Sequence, residues 1–179
     1  MDTSELEAGL ETILAAPKVE GVVDLVVRRP AEGEREVLEE GFLSHEDGLQ
    51  GDDWLARATR GAADRIPNVD TQLTLMGSRV VDLLAGARSR WPLAGDQLYV
   101  DLDLSHENLP TGTRVRVGEA TIEVTAAPHT GCAKFSARFG SAAIRFVNSP
   151  SGRELRLRGL NARVVEPGVV RPGDAITKL

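Results

Sequence analysis

Along the first third of the chain the hydrophobic positions change period, from helical to strand-like. Leu6, Leu10, Ile13 and Leu14 recur at helical spacing. Ser4 and Glu7 stand three apart as a capping box, and Pro17 stops the run. Over residues 19–29 the pattern turns apolar and β-branched, with Val22, Val23, Leu25, Val26 and Val27, and Pro30 closes it. That predicts a mostly buried strand. A weaker strand is expected over 34–43. Residues 45–53 are loop by their Gly and Asp content, which places Asp52 and Asp53 in a solvated turn. A short helical turn follows over 53–60.

Residues 71–76 alternate as a half-buried strand. Ser78 is the expected cap of a helix over 79–84, which Gly86 ends. Over 97–104, Leu98, Val100, Leu102 and Leu104 fall on one face of a strand. The clearest local signal is 113–124. Val115 and Val117 alternate with Arg114 and Arg116, Gly118-Glu119 makes a tight turn, and 121–124 run back. This is a β-hairpin. A loop over 128–132 then leads into a helix over 133–139, ended by Gly140. Further short strands are expected over 154–158, 162–165 and 169–170, with turns at 167–168 and 171–174. Many short strands, with helices confined to connections, predict a mainly β fold: a closed β-barrel with a few short α-helices. Residues 1–18 form an N-terminal helix and residues 19–179 the barrel domain. Strands do not alternate with long helices, which argues against a doubly wound parallel sheet.

At 179 residues the chain fits one domain. Aromatics are 4% of it, so aliphatic side chains must fill the core. One cysteine excludes an internal disulfide. The acidic start lacks the pattern of a signal peptide, and no apolar run is long enough to span a bilayer. A soluble cytoplasmic protein without a membrane partner is expected. The net charge of −6 is unevenly spread. Residues 1–70 carry seven Lys/Arg and seventeen Asp/Glu, whereas 129–163 carry seven basic residues and one acid. The second segment should attract anions, unless its arginines only line the solvent face of strands. Nucleic acid is not expected, since the chain is neither basic overall nor built on a recognisable module.

The candidate chemistry centres on Cys132. Thr130 or Gly131 is the expected N-cap of the helix over 133–139, which puts Cys132 at or beside its first residue. Unpaired N–H groups at a helix start favour an anion, so a thiolate there should have a lowered pKa, helped by His129, Lys134 and Arg138. Such a sulfur can be a nucleophile, a persulfide carrier or a soft metal ligand. The alternative is an inert buried cysteine. Lys134 and Arg138, four apart, would suit a phosphate, or else form a solvated face. The histidines (His45, His106, His129) have no zinc-type spacing. No CxxC pair, phosphate loop or Gly-x-Ser-x-Gly elbow occurs.

The order of several short motifs adds to this. Gly48-Leu49-Gln50-Gly51-Asp52 is followed by Gly95-Asp96-Gln97-Leu98, then by Leu109-Pro110-Thr111-Gly112-Thr113 with Gly118 at the hairpin turn. Next come Cys132, Lys134 and Phe135, then Ala137-Arg138-Phe139-Gly140. Gly159, Arg163-Val164-Val165, Pro167-Gly168 and Gly173-Asp174 close the series. Over roughly residues 19–176 this resembles the MOSC family, named for the C-terminal domain of molybdenum cofactor sulfurase. Gln97 stands where that family more often has Asn. The resemblance implies a barrel of the pyruvate-kinase β-barrel-like kind. It also implies chemistry around the molybdenum-pterin cofactor, with Cys132 carrying sulfur as a persulfide or ligating molybdenum. On that reading the chain is a small stand-alone MOSC protein. Cys132 and His129 are catalytic, and Thr130, Lys134, Arg138 and Arg163 hold the cofactor. The reaction is sulfur transfer or molybdenum-dependent reduction of N-oxygenated compounds, with a sulfur donor or redox protein as partner. Pyridoxal phosphate belongs to another domain of the full sulfurase and is not expected here. The alternative is a non-catalytic module that binds an anionic small molecule or a protein.

Overall fold

The structure, a computed structural model, describes residues 3–60 and 66–179, without the side chains of Thr3 and Glu7, so the capping box of Ser4 and Glu7 lies outside the described residues. Strand β1 (Glu20–Arg28) organises the sheet because it is long enough to hold three partners. Its first residues pair with β11 (Ala175–Lys178) and its last with β2 (Glu36–Leu38). Its other edge carries β6 (Leu98–Asp101). From β6 the ring continues in parallel to β5 (Leu73–Gly77), then antiparallel through β9 (Leu160–Glu166), β8 (Ala120–Val124) and β7 (Arg114–Val117), and back to β11. The result is a closed barrel of seven strands, with β2 outside the ring. A small side sheet joins β3 (Gly41–Ser44), β4 (Gly48–Leu49) and β10 (Gly168–Val170).

Alternation along the strands sorts the apolar residues into two cores. Leu98 and Val100 point into the barrel with Val23, Val26, Leu75, Ile122 and Val117. Tyr99, between them, points outward and packs with Val27, Met76 and Phe135. A β-bulge between Val23 and Leu25 shifts the alternation of β1, so that Val26 faces in and Leu25 and Val27 face out. The outer core is covered by α1 (Thr3–Ala8), α4 (Ser78–Ala85) and α5 (Ala133–Asn148), with α2 (Leu10–Leu14) beside α4. Burying one such aliphatic side chain stabilises the fold by about 1.5–3 kcal/mol.

Five expectations need correction. The strand expected over 34–43 is two, β2 and β3. The loop over 45–53 contains β4. Ser78 is not the cap of α4; Gly77 is, and Ser78 is the first helical residue with its Oγ buried and unpartnered. Gly140 interrupts α5 rather than ending it, at φ 90° and ψ 169°. The strand expected over 154–158 does not exist. Ser149 caps α6 (Pro150–Glu154) by accepting from Gly152 N–H, and a turn follows in which Arg156, Leu157 and Arg158 are all buried. A half-buried strand cannot bury three successive side chains. Gly159, at φ 104°, ends that turn where a Cβ would overlap the Leu75 carbonyl oxygen. Strand β11, which closes the barrel, has no counterpart among the expected strands. No helix among the described residues is long and apolar enough to cross a membrane.

Candidate functional site

The end of β1, α3 (Trp54–Ala58), the segment before β6, the start of α5 and the turn at Arg158 surround a cavity of about 950 Å³. Its floor is built from two buried ion pairs. The Asp52 carboxylate, held in the Gly51-Asp52 turn, accepts from Arg29 Nε at 2.8 Å, Arg29 Nη2 at 2.7 Å and the Trp54 backbone N–H at 3.0 Å. Arg29 Nη1 also donates to the Gly95 carbonyl at 2.9 Å. In the second pair, Asp96 Oδ2 accepts from Arg158 Nη1 at 2.6 Å, and Asp96 Oδ1 lies 2.7 Å from His129 Nε2. Arg158 Nη2 donates to the Ala94 carbonyl at 3.0 Å, and its guanidinium stacks over Phe135 at 4.9 Å. Gln97 ties the first pair to β5: its Oε1 accepts from both Thr74 N–H and Oγ1, and its Nε2 reaches Asp52 Oδ1 at 3.3 Å.

This floor sets the charge states. Burial raises the Asp96 pKa, but Arg158 and His129 together outweigh it and hold the carboxyl below its ordinary range. Burial, then the charge of Arg158, lowers the His129 pKa. The imidazole is therefore neutral near pH 7. It donates from Nε2 to the Asp96 carboxylate and keeps Nδ1 as an acceptor.

Cys132 is itself the N-cap of α5, at φ −115° and ψ 178°, rather than Thr130 or Gly131. Asn148, at the far end of the same helix, holds the loop in place. Its Oδ1 accepts from Gly131 N–H at 2.9 Å and its Nδ2 donates to the Gly131 carbonyl at 3.1 Å. The thiol is exposed, which removes the reading of an inert buried cysteine. Partial burial raises its pKa; the backbone N–H groups of Phe135 and Lys134 and the charge of Arg158 lower it by more.

Of the expected site residues, His129, Thr130, Cys132, Lys134 and Arg138 all line the cavity. Arg163 does not. It lies on β9, where it pairs with Glu123 at 2.5 Å and Asp70 at 3.7 Å. Arg29, Arg35, Asp52, Asp96 and Arg158 carry the site without having been singled out as its residues. Asp52 and Asp53 are buried, not in a solvated turn. Their burial depends on Arg29 and Arg57, and Arg29 is remote in sequence. Among the described residues no three His, Cys, Asp or Glu side chains converge as a metal site.

The family model of the MOSC domain matches residues 68–177. Among solved structures, the YuaD protein from Bacillus subtilis is similar at 18% identity and TM-score 0.63, covering 88% of this chain and 94% of that one. YiiM from Escherichia coli is similar at 20% identity and TM-score 0.56, covering 88% and 69%. YiiM from Geobacillus stearothermophilus is similar at 14% identity and TM-score 0.53, covering 91% and 74%. At these identities the likeness is one of fold. No curated protein matches the sequence.

Proposed function

Because the chain belongs to the MOSC domain family, we propose that its cavity takes a molybdenum-pterin cofactor and that Cys132 is the sulfur ligand of the metal. The observation that carries this is an exposed thiol of lowered pKa, at the start of α5, on the wall of a cavity lined by cations. The residues fit the group. A thiolate suits a soft metal. The volume of about 950 Å³ falls within the range of cofactor sites. Arg35 Nε and Arg158 Nε are buried without a partner on the same cavity, as donors without an acceptor.

When bound, the cofactor supplies redox chemistry suited to reducing N-oxygenated compounds. The chain supplies the rest. Thr130, Lys134 and Arg138 line the cavity and hold the cofactor's polar and anionic groups. Asp96 keeps His129 in one tautomer, so that Nδ1 can accept or return a proton. Trp54 and Phe135 form an apolar part of the cavity wall. A second reading, transfer of sulfur through a persulfide on Cys132, is favoured by the exposure of the thiol, which a donor protein could reach.

The test is elemental analysis of protein made in a host that synthesises the cofactor, wild type beside Cys132→Ser. Near-stoichiometric molybdenum in the wild type, lost in the variant, is the expected result. The wild-type thiol should also react with an alkylating reagent with a pH midpoint below the ordinary thiol value of about 8.5. Full molybdenum content in Cys132→Ser would overturn the ligand role. A metal-free wild type carrying an adduct of about 32 Da on Cys132, one sulfur atom, would assign the chain to sulfur transfer instead.

A further inference from the structure

Among the described residues seven cationic side chains line the cavity, and five of them are already answered by a carboxylate. Arg29 is held by Asp52 and Arg158 by Asp96. Arg57 lies 2.9 Å from Asp53, and Lys134 and Arg60 lie 2.7 and 3.8 Å from Glu32. Arg35 and Arg138 are the remainder. Arg35 Nη1 donates to the carbonyl of its neighbour Glu34, and Arg138 Nη1 donates to the Leu93 carbonyl at 2.8 Å. Both acceptors are neutral. Arg35 Nε is buried and has no hydrogen-bond partner among the described residues.

The two guanidiniums converge. A Cβ placed on Gly95 would lie 3.5 Å from Arg35 Nη2 and 3.8 Å from Arg138 Nη1. Gly95 has φ +93°, a left-handed backbone that L side chains rarely adopt, so the space between the two heads stays open. Like charges drawn together without a counter-ion are costly. Burial, then the charges of Arg138 and Arg29, lower the Arg35 pKa accordingly.

We infer that Arg35 and Arg138, facing one another across Gly95, form a clamp for a doubly charged phosphate group. The inference deepens the reading of the cavity as a cofactor site and rests on that reading for the cavity being a binding cavity. A carboxylate would leave one of the two positive charges unanswered. A phosphate monoester carries about −1.5 to −2 and offers three acceptor oxygens, enough for two guanidinium forks approaching from different directions. Lys134, engaged by Glu32, is not part of the clamp.

The test is calorimetric titration of the full chain, made in a host that does not synthesise the cofactor, with inorganic phosphate and, separately, with phenyl phosphate, at constant ionic strength set with chloride. The expected result is saturable binding of both to the wild type. Arg35→Ala and Arg138→Ala should each weaken it by about tenfold or more, the effect of losing a charged hydrogen-bond donor. Arg35→Lys, which keeps the charge and loses the fork, should fall between, and it replaces Arg35→Ala if that variant does not fold. Arg163→Ala should bind as the wild type does. Tighter binding of the ester than of inorganic phosphate would identify an ester-bearing ligand, and equal binding the phosphate group alone; both support the clamp. Absence of saturation in the wild type, or unchanged affinity in Arg35→Ala, would overturn it. Cys132→Ser separates the two readings. Phosphate binding should survive in it although molybdenum is lost, and molybdenum retained in that variant would sink the metal-ligand role alone.

Discussion

The barrel interior and the cavity floor are equally dry and are held in opposite ways. Leu98, Val100, Val117 and Ile122 are fully buried inside the barrel, and so are Asp96 and Gln97 beneath the cavity. In the barrel any close neighbour will serve, because dispersion and the hydrophobic effect have no direction. On the floor each carboxylate oxygen of Asp52 and Asp96 has a guanidinium or imidazole nitrogen at 2.6–2.8 Å. Removing a barrel side chain leaves a hole. Removing a floor side chain leaves a buried charge.

That contrast gives the largest expected effect. Asp96→Ala leaves the Arg158 guanidinium buried without its carboxylate and His129 without its acceptor, which should cost about 3–5 kcal/mol in denaturant unfolding. Leu98→Ala in the barrel should cost about 2–5 kcal/mol through lost transfer energy and a cavity. The two overlap in size, so a double change separates them. Asp96→Leu with Arg158→Met removes both charges and should recover most of the loss, since an apolar substitute for a buried ion pair is close to neutral. A second truncation in the barrel only adds to the first. A double floor variant less stable than Asp96→Ala would break the comparison.

A smaller effect sharpens it through pH. The His129 pKa in the fold lies below its unfolded value of about 6.5, so the unfolded chain takes up a proton first. Stability should therefore fall as pH drops below about 6.5, and go on falling until His129 itself titrates in the fold. Asp96 acts in the same direction at lower pH. Its folded pKa is depressed, so the stability it contributes is present above about 3.9 and is lost as pH falls through the folded value. Urea midpoints measured from pH 7 to pH 5 should decline in the wild type and flatten in His129→Gln. Leu98→Ala should run parallel to the wild type, because no proton is involved. An unchanged slope in His129→Gln would show that the imidazole is not held neutral.

The same contrast explains what could be read from the residues alone. Barrel strands are local objects. The alternation of Val115 and Val117 with Arg114 and Arg116 is the burial pattern of β7 itself, and Gly118 turns the hairpin where expected. The position of Cys132 at a helix start, with His129 just before it, was legible for a similar reason, since these residues are adjacent in sequence. The floor is not local. Arg29 and Asp52 are 23 residues apart, and Asp96 and Arg158 are 62 apart. Nothing beside Asp52 shows that its counter-charge will arrive from β1, so its Gly-flanked setting reads as a solvated turn. The motif resemblance marked Gly48–Asp52 and Gly95–Leu98 as segments of interest but could not say that their carboxylates lie underneath the site. Leu155 to Arg158 misled in the other direction. Its alternation is strand-like, but Ser149 and Pro150 start a helix just before it, and the chain leaves that helix through a turn with Arg156 at φ 48°. Strand β11 is as short as β7, but of its four residues only Ile176 is fully buried, so it lacks the alternation that marks β7.

The smallest expected effect tests where the cavity ends. Arg163 has the same guanidinium as Arg35 and Arg158, and the resemblance placed it among the cofactor ligands. In the fold its side chain is 44% exposed on β9, and Glu123 and Asp70 neutralise it in water rather than in the protein interior. An ion pair in that setting gains little, because solvent screens it and two long side chains must be ordered to make it. Arg163→Ala should change stability by at most about 1 kcal/mol, with the difference shrinking further as salt is raised towards 1 M. Its molybdenum content should match that of the wild type, whereas Cys132→Ser should lose the metal. If Arg163→Ala were to lose molybdenum as Cys132→Ser does, the outer face of β9 would belong to the site, and the boundary between answered and unanswered cations would have to move out to include it.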